Sequence, residues 1–557
     1  MRTNHKVSGV ILVLILLFSL EILWGVNYIK KDANVAYIVY YVNIFVSITA
    51  YLFVTRFRKD NYTARSPLIL IAILSTVLTK FLLFYGNMFT RDIPTLLSLV
   101  DALKTDGVIK VDRLSRYQEF YWEHPGLIIW GACFEEISGF NNYGLMYSNI
   151  ITLQTAIILS FAYFAEVIYR ENNVYLAILL NSTILGVLDP FSRLPFVMPV
   201  LFIVLSLFLR INESPNKIPD LIVLALFSFL TTIVHELSSF IISLFAVIVL
   251  ISPYLLKILI SVFRAIDIKN ACKVEDIKLS RFSILQYILL IPFMLFSIYE
   301  IYRYTTTLDV IELHLKSARM ENFGILVIRE RDVKQWIVFY ARWLFIGLSS
   351  AVVLLHIIFN RTCKSKVYDL SLLTYVLLLI LGSLYTWFIP TKSYYYTYMV
   401  LTMLLLHSIQ KSYIRKPLKF MGIIASLLLV VHTILMLPPN FISPLEIHKE
   451  IYSYGDFSYF FKRSELLASM CVSQNIDPNV KIFSDLGGQL LFHSHGFNIL
   501  GITPKGENIE TYRAGSKNVI IFWRTPDMDY TYSLSLRTVM NDMNLIINYG
   551  NVKVYET

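Results

Sequence analysis

Asp92 is the first acidic residue after an apolar run that extends from Ser66 to Gly86. It opens a polar stretch, 87–125, that also holds Arg91, Arg113, Arg116, Tyr121, Trp122, Glu123 and His124. A carboxylate, several guanidinium groups and a set of aromatic rings beside an apolar run have the make-up of a site at lipid-headgroup depth. The same residue types also serve as simple anchors where a chain leaves a membrane. The surrounding order favours a site: apolar run, acidic residue, amphipathic segment, Tyr/Trp-rich stretch, His124-Pro125, and a second apolar segment from Gly126.

Other ionisable residues interrupt later apolar runs. Arg193 stands in "LDPFSRLPFVMP", either in a polar turn broken by Pro190 and Pro195 or as a phosphate ligand. His235-Glu236 joins two apolar runs in "TTIVHELSSF", where the pair suits substrate binding or a helix end. HExxH is broken there by Ser239, which removes the zinc-protease reading. Arg342 lies within the run 335–359, where charge is costly and marks function unless the side chain snorkels to the interface. Lys392 falls in a short loop before Tyr394, Tyr395 and Tyr396, which is either an aromatic belt or a phosphate contact. Asp485-Leu486-Gly487-Gly488 lacks the GxGxxG spacing of a dinucleotide site.

These residues need helices to position them. Of 557 residues, 56% are hydrophobic and 16% charged, too little charge to cover a soluble surface. Runs of about 15–25 apolar residues fall at 8–29, 34–55, 66–86, 145–169, 173–189, 196–210, 219–234, 236–256, 283–303, 335–359, 369–389, 396–409 and 418–437. The expected fold is a polytopic α-helical membrane protein of about 13 spans. Segment 126–138, "GLIIWGACFEEIS", is too short to cross and is expected to be re-entrant or half-inserted. Pro94 predicts the first turn of a surface-lying helix that Gly107 ends, with Leu96, Leu97, Val100 and Leu103 on its apolar face.

The net charge of +10 comes from basic loops around Arg56–Lys59, Lys257–Arg281, Arg361–Lys366 and Lys411–Lys419. The positive-inside rule makes these loops and the N-terminus cytoplasmic. Basic residues that flank spans do not form a nucleic-acid face, so no nucleic acid is expected. Cys133, Cys272, Cys363 and Cys471 are far apart and form neither a disulfide framework nor a cysteine zinc site. From Pro438 the composition changes to short strand-like segments, "VKIFSD", "FNILGI", "NVIIFW" and "LIINYGNVKVYE", with "YFFKRSELLASMCVS" and "YSLSLRTVMNDM" expected to be helical. The expected domains are therefore 1–437 in the membrane and a small α/β domain at 438–557 outside it, in a protein of the plasma membrane.

The loop pattern around Arg91-Asp92 and His124-Pro125 resembles that of the GT-C membrane glycosyltransferases, such as protein O-mannosyltransferases and the aminoarabinose transferases of lipid A. In that class an acidic residue opens the first large outer loop, and surface helices lead to a "YPP"-like entry into the next segment. Here Asp92 is followed by Ile93, 8–55 is an N-terminal addition, and no WWDYG-type signature is present, which argues against the oligosaccharyltransferase subgroup of that class. The resemblance implies sugar transfer from a polyprenyl-phosphate-linked donor to a lipid, glycan or protein acceptor on the outer face. It assigns Asp92 as general base, with Arg193, Arg342 and Lys392 for the donor phosphate. Arg91, Arg113, Arg116, Tyr121, His124, His235 and Glu236 are then substrate contacts. No spacing demands a cofactor, although Asp92 with Glu123 or His124 offers ligand types for a divalent cation. The competing readings are a transporter or lipid flippase without bond chemistry, and a polysaccharide polymerase or ligase using a lipid-linked substrate.

Overall fold

The computed structural model describes most of residues 69–77, 89–107, 122–169, 193–210, 217–265, 333–359, 363–385, 390–410 and 420–429, and the strand and helix residues within 460–556. In chain order these form β1 (Phe89–Thr90), α1 (Asp92–Asp106), α2 (Gly126–Ser138), α3 (Asn142–Ile168), α4 (Arg193–Arg210), α5 (Lys217–Val234), α6 (Glu236–Ala265), α7 (Val333–Phe359), α8 (Cys363–Tyr385) and α9 (Pro390–Gln410). The strands β2 (Phe460–Phe461), β3 (Lys481–Ser484), β4 (Ile499–Gly501), β5 (Val519–Arg524), β6 (Asn544–Tyr549) and β7 (Val552–Glu556) follow.

Helices α3 to α9 form a bundle in which α3 packs on α4, α4 on α5, α6 on α8, and α9 on both α7 and α8. Its core is aromatic as well as aliphatic. Phe161 meets Phe202 edge-on at 5.0 Å between ring centres, and Phe245 meets Tyr375 at 5.2 Å. Edge-on contacts bring a positive ring rim to a negative face. The outside is apolar too. α5 presents Ile218, Ile222, Leu226 and Phe229 outward at helical spacing, each 55–71% exposed. Such rows suit lipid, where helices satisfy their own backbone groups.

Among the described residues, Gly144–Ile168 is by itself long and apolar enough to cross a membrane. Ile241–Val249 and Ile251–Val262 make a second such segment, bent by 47°. Pro253 explains the bend, because it has no N–H to offer the carbonyl of Val249. Pro195–Leu209, Ile218–Val234, Trp343–Phe359, Val367–Ile380, Thr397–Ile409 and Phe420–Leu429 are shorter apolar helices. The runs 8–29 and 34–55 lie outside the described residues, as do nearly all of 173–189 and 283–303.

Several sequence expectations shift. α6 continues to Ala265 and α8 begins at Cys363, so Lys257, Lys364 and Lys366 belong to helices and not to loops. Lys392 is likewise helical, in the first turn of α9, because Pro390 opens that helix. Phe460–Phe461, expected to be helical, forms strand β2. It pairs antiparallel with β1, Phe89 opposite Phe461 and Thr90 opposite Phe460. The segment YSLSLRTVMNDM lies outside the described residues.

The remaining strands form one sheet in the order β4-β3-β5-β7-β6. β3 runs parallel to β4 and β5, whereas β7 is antiparallel to β5 and β6. Ile482, Ile520, Phe522 and Val554 on this sheet share a buried apolar cluster with Leu96, Leu99 and Val100 of α1 and with Leu127 and Ile128 of α2. The sheet and the first loop are thus held by one core.

Candidate functional site

α1 starts at Asp92, has Pro94 in its first turn and stops at Gly107, whose φ of 68° is a conformation glycine adopts without strain. The Gly107 N–H closes the end on the Leu103 carbonyl at 2.9 Å. Leu96, Leu97 and Val100 are buried and Leu103 partly so, while Asp101 and Lys104 stay exposed. The apolar face is covered by protein and not by lipid, which corrects the expectation of a surface-lying helix. α2 and the sheet supply that cover.

α2 spans the expected short segment, Gly126 to Ser138. Pro125 caps its start, and Gly139, at φ 69°, ends it with its N–H on the Glu135 carbonyl. Glu135 is 1% exposed and lies 3.5 Å from Lys104 Nζ. Burial raises its carboxyl above the ordinary carboxylate range; the charge of Asp101 adds to this, and Lys104 opposes it. The Lys104–Glu135 contact joins the last turns of α1 and α2. Their first turns, headed by Asp92 and by His124 to Gly126, therefore lie toward the other end of the pair.

That other end meets the junction of α5 and α6. His124 is buried and its Nδ1–H donates to the Thr232 carbonyl at 3.1 Å. The carbonyl belongs to the last turn of α5. A Cβ on Gly126 would stand 2.6 Å from Val234 Cγ2, so only glycine lets α2 begin this close to α5. His235 is the one non-helical residue between α5 and α6. It is fully buried, with Nδ1 3.2 Å from Ser238 Oγ, and its carbonyl accepts from the Ser238 N–H at 3.1 Å.

Arg193 begins α4 and is 4% exposed. In the next turn Phe196 meets Trp130 of α2 at 5.1 Å, and Val197 joins the cluster that holds Val234 and Leu127. The fold thus brings His124, Arg193 and His235 to one end of the bundle, against α1 and α2. Glu236, Arg342 and Lys392 are placed by backbone: the first residue of α6, within α7, and the third residue of α9. Arg91, Arg113, Arg116 and Tyr121 lie outside the described residues, as does Glu123 of the candidate cation pair.

Helix direction locates Arg342 and Lys392 further. His356 of α7 and His407 of α9 flank Asp369 of α8 at the opposite end of the bundle, where Tyr169 closes α3. At 1.5 Å per residue, Arg342 stands about 21 Å from the His356 level and Lys392 about 22 Å from the His407 level. The backbone of both residues therefore lies at matching heights toward the end that holds His124, Arg193 and His235.

The sequence matches no protein-family model and no curated protein. Among solved structures it is similar to the oligosaccharyltransferase of Archaeoglobus fulgidus in complex with zinc and sulfate. That match has a TM-score of 0.46 at 12% identity and covers 87% of this chain and 73% of the other. It is also similar to ArnT from Cupriavidus metallidurans bound to undecaprenyl phosphate, with a TM-score of 0.37 at 12% identity, covering 89% of this chain and 98% of the other.

Sequence reasoning left Glu135 without a role and missed Thr232 and the group His356, Asp369 and His407. Glu135 and the two histidines with Asp369 had one available signal, an ionisable side chain inside an apolar segment.

Proposed function

We propose that this protein is a membrane glycosyltransferase that moves a sugar from a polyprenyl-phosphate-linked donor to an acceptor hydroxyl on the outer face of the membrane. The observation that supports it best is the gathering of buried Arg193, His124 and His235 at the end of the bundle where the Asp92 helix is docked. A buried guanidinium away from bulk water is suited to an anion that must leave with charge.

In this reading the acceptor oxygen attacks the anomeric carbon while the carbon–oxygen bond to phosphate breaks. The phosphate keeps the electron pair, and the hydroxyl proton passes to the Asp92 carboxylate. Arg193, Arg342 and Lys392 hold the phosphate as its charge grows. His124 sets the floor of the site by fixing the start of α2 against α5. The N-terminus then lies in the cytoplasm, and the sheet unit covers the reacting end from outside.

The test supplies purified protein with a labelled polyprenyl-phosphate sugar and compares wild type with Asp92→Asn. Release or transfer of the label by wild type, lost in the variant, supports the reading. Full activity in Asp92→Asn removes that residue from its role. Substrate movement across vesicles without bond cleavage overturns the proposal in favour of a transporter.

A further inference from the structure

We propose that His356, Asp369 and His407 form a binding site for one divalent transition-metal ion of the zinc type, with Tyr169 orienting its ligands. The three come from the end of α7, the start of α8 and the end of α9, and each is nearly fully buried. One nitrogen from each imidazole and one carboxylate oxygen lie within 4.8 Å of one another. His356 Nε2 stands 3.9 Å and His407 Nε2 4.0 Å from the same oxygen, Asp369 Oδ2.

Neither distance is a hydrogen bond. Zinc binds imidazole nitrogen and carboxylate oxygen at about 2.0–2.2 Å in tetrahedral geometry, so two such ligands on one ion stand about 3.4 Å apart. The observed separations are about half an ångström wider, a gap that small side-chain rotations close when an ion enters. Two imidazoles and one carboxylate are also a ligand set that zinc-class ions favour over the hard, all-oxygen surroundings of magnesium and calcium.

Tyr169 supplies the supporting contacts. Its hydroxyl donates to Asp369 Oδ1, the oxygen turned away from the histidines, at 2.5 Å. Its ring stacks on His407 with 3.9 Å between centres. One side chain thus fixes both the carboxylate and an imidazole, as groups behind metal ligands commonly do. The imidazoles of His356 and His407 stand at 87° to each other, 5.5 Å apart. The site is at the opposite end of the bundle from Asp92, so its ion would clamp α7, α8 and α9 to the end of α3 and take no part in sugar transfer.

The full-length protein, purified with a histidine-free tag, is incubated with Zn2+, dialysed and assayed for metal content. Wild type is expected to keep about one zinc per chain, and Co2+ in its place to give a visible absorption band. His356→Gln with His407→Gln abolishes both signals, Tyr169→Phe weakens binding by about 10- to 100-fold, and Glu135→Gln, at the other end, leaves binding unchanged. Should the double variant fail to fold, wild type alone decides: Zn2+ raises its melting temperature and a chelator lowers it. Background metal in Zn2+-treated wild type, or an unchanged melting temperature on adding and chelating Zn2+, overturns the proposal and leaves a buried polar cluster that shares protons only.

Discussion

His124 Nδ1 donates to the Thr232 carbonyl across 108 positions of sequence, at 3.1 Å. The bond ties the entry of the short helix α2 to the last turn of α5, where the chain breaks at His235 before α6 begins. Pro125, next to His124, offers no N–H, so the imidazole makes the contact at this point of the chain. This contact sets where the Asp92 loop meets the bundle.

His124→Ala is expected to destabilise the protein by about 1–3 kcal/mol, since it leaves a helix-end carbonyl buried without its donor. Thermal unfolding in detergent measures this. An unchanged melting temperature would show that the bond is not needed to hold α2 on α5.

Gly126→Ala should cost about 1–3 kcal/mol through overpacking, because the added methyl falls 2.6 Å from Val234 Cγ2 and β-branched valine has little freedom to turn away. Val234→Ala removes the obstructing methyl groups. A double-mutant cycle in unfolding should return most of the Gly126→Ala loss. Additive losses would count against the close approach.

Glu135 gives a pH dependence with a definite sign. Its carboxyl is held above the ordinary value when folded, chiefly by burial, so the native state binds the extra proton. Stability is therefore full below the ordinary carboxylate pKa and falls as pH rises toward the raised one. Glu135→Gln mimics the protonated form. Its melting temperature should exceed that of wild type at neutral pH, with the gap closing as pH drops through the carboxylate range. A constant gap at all pH values would mean that the group does not titrate on folding.

Arg193→Lys keeps the charge but loses the planar fork that grips two phosphate oxygens. On the proposed function, the donor KM should rise about tenfold, equivalent to about 1.4 kcal/mol, with the fold intact. Steady-state kinetics on the lipid-linked donor measure it. Wild-type KM in the variant would take Arg193 off the phosphate.

Local rules made much of this protein readable from its sequence. Pro94 and Gly107 bracket α1, and Pro125 and Gly139 bracket α2, because φ restriction and the left-handed cap act within a few residues. Apolar runs near the length of a helix marked α3 to α9 in the same way. The junction at His235 was also legible, as a polar pair between two such runs. Only the tertiary structure decided what covers α1, where β1 finds its partner, and which polar side chains meet. Phe89 and Phe461, His124 and Thr232, and Tyr169 and Asp369 are far apart in sequence. Helical periodicity states which face of a helix is apolar, but it carries no record of the neighbour that face will meet. That choice is made when several helices pack at once and their buried polar groups must find one another.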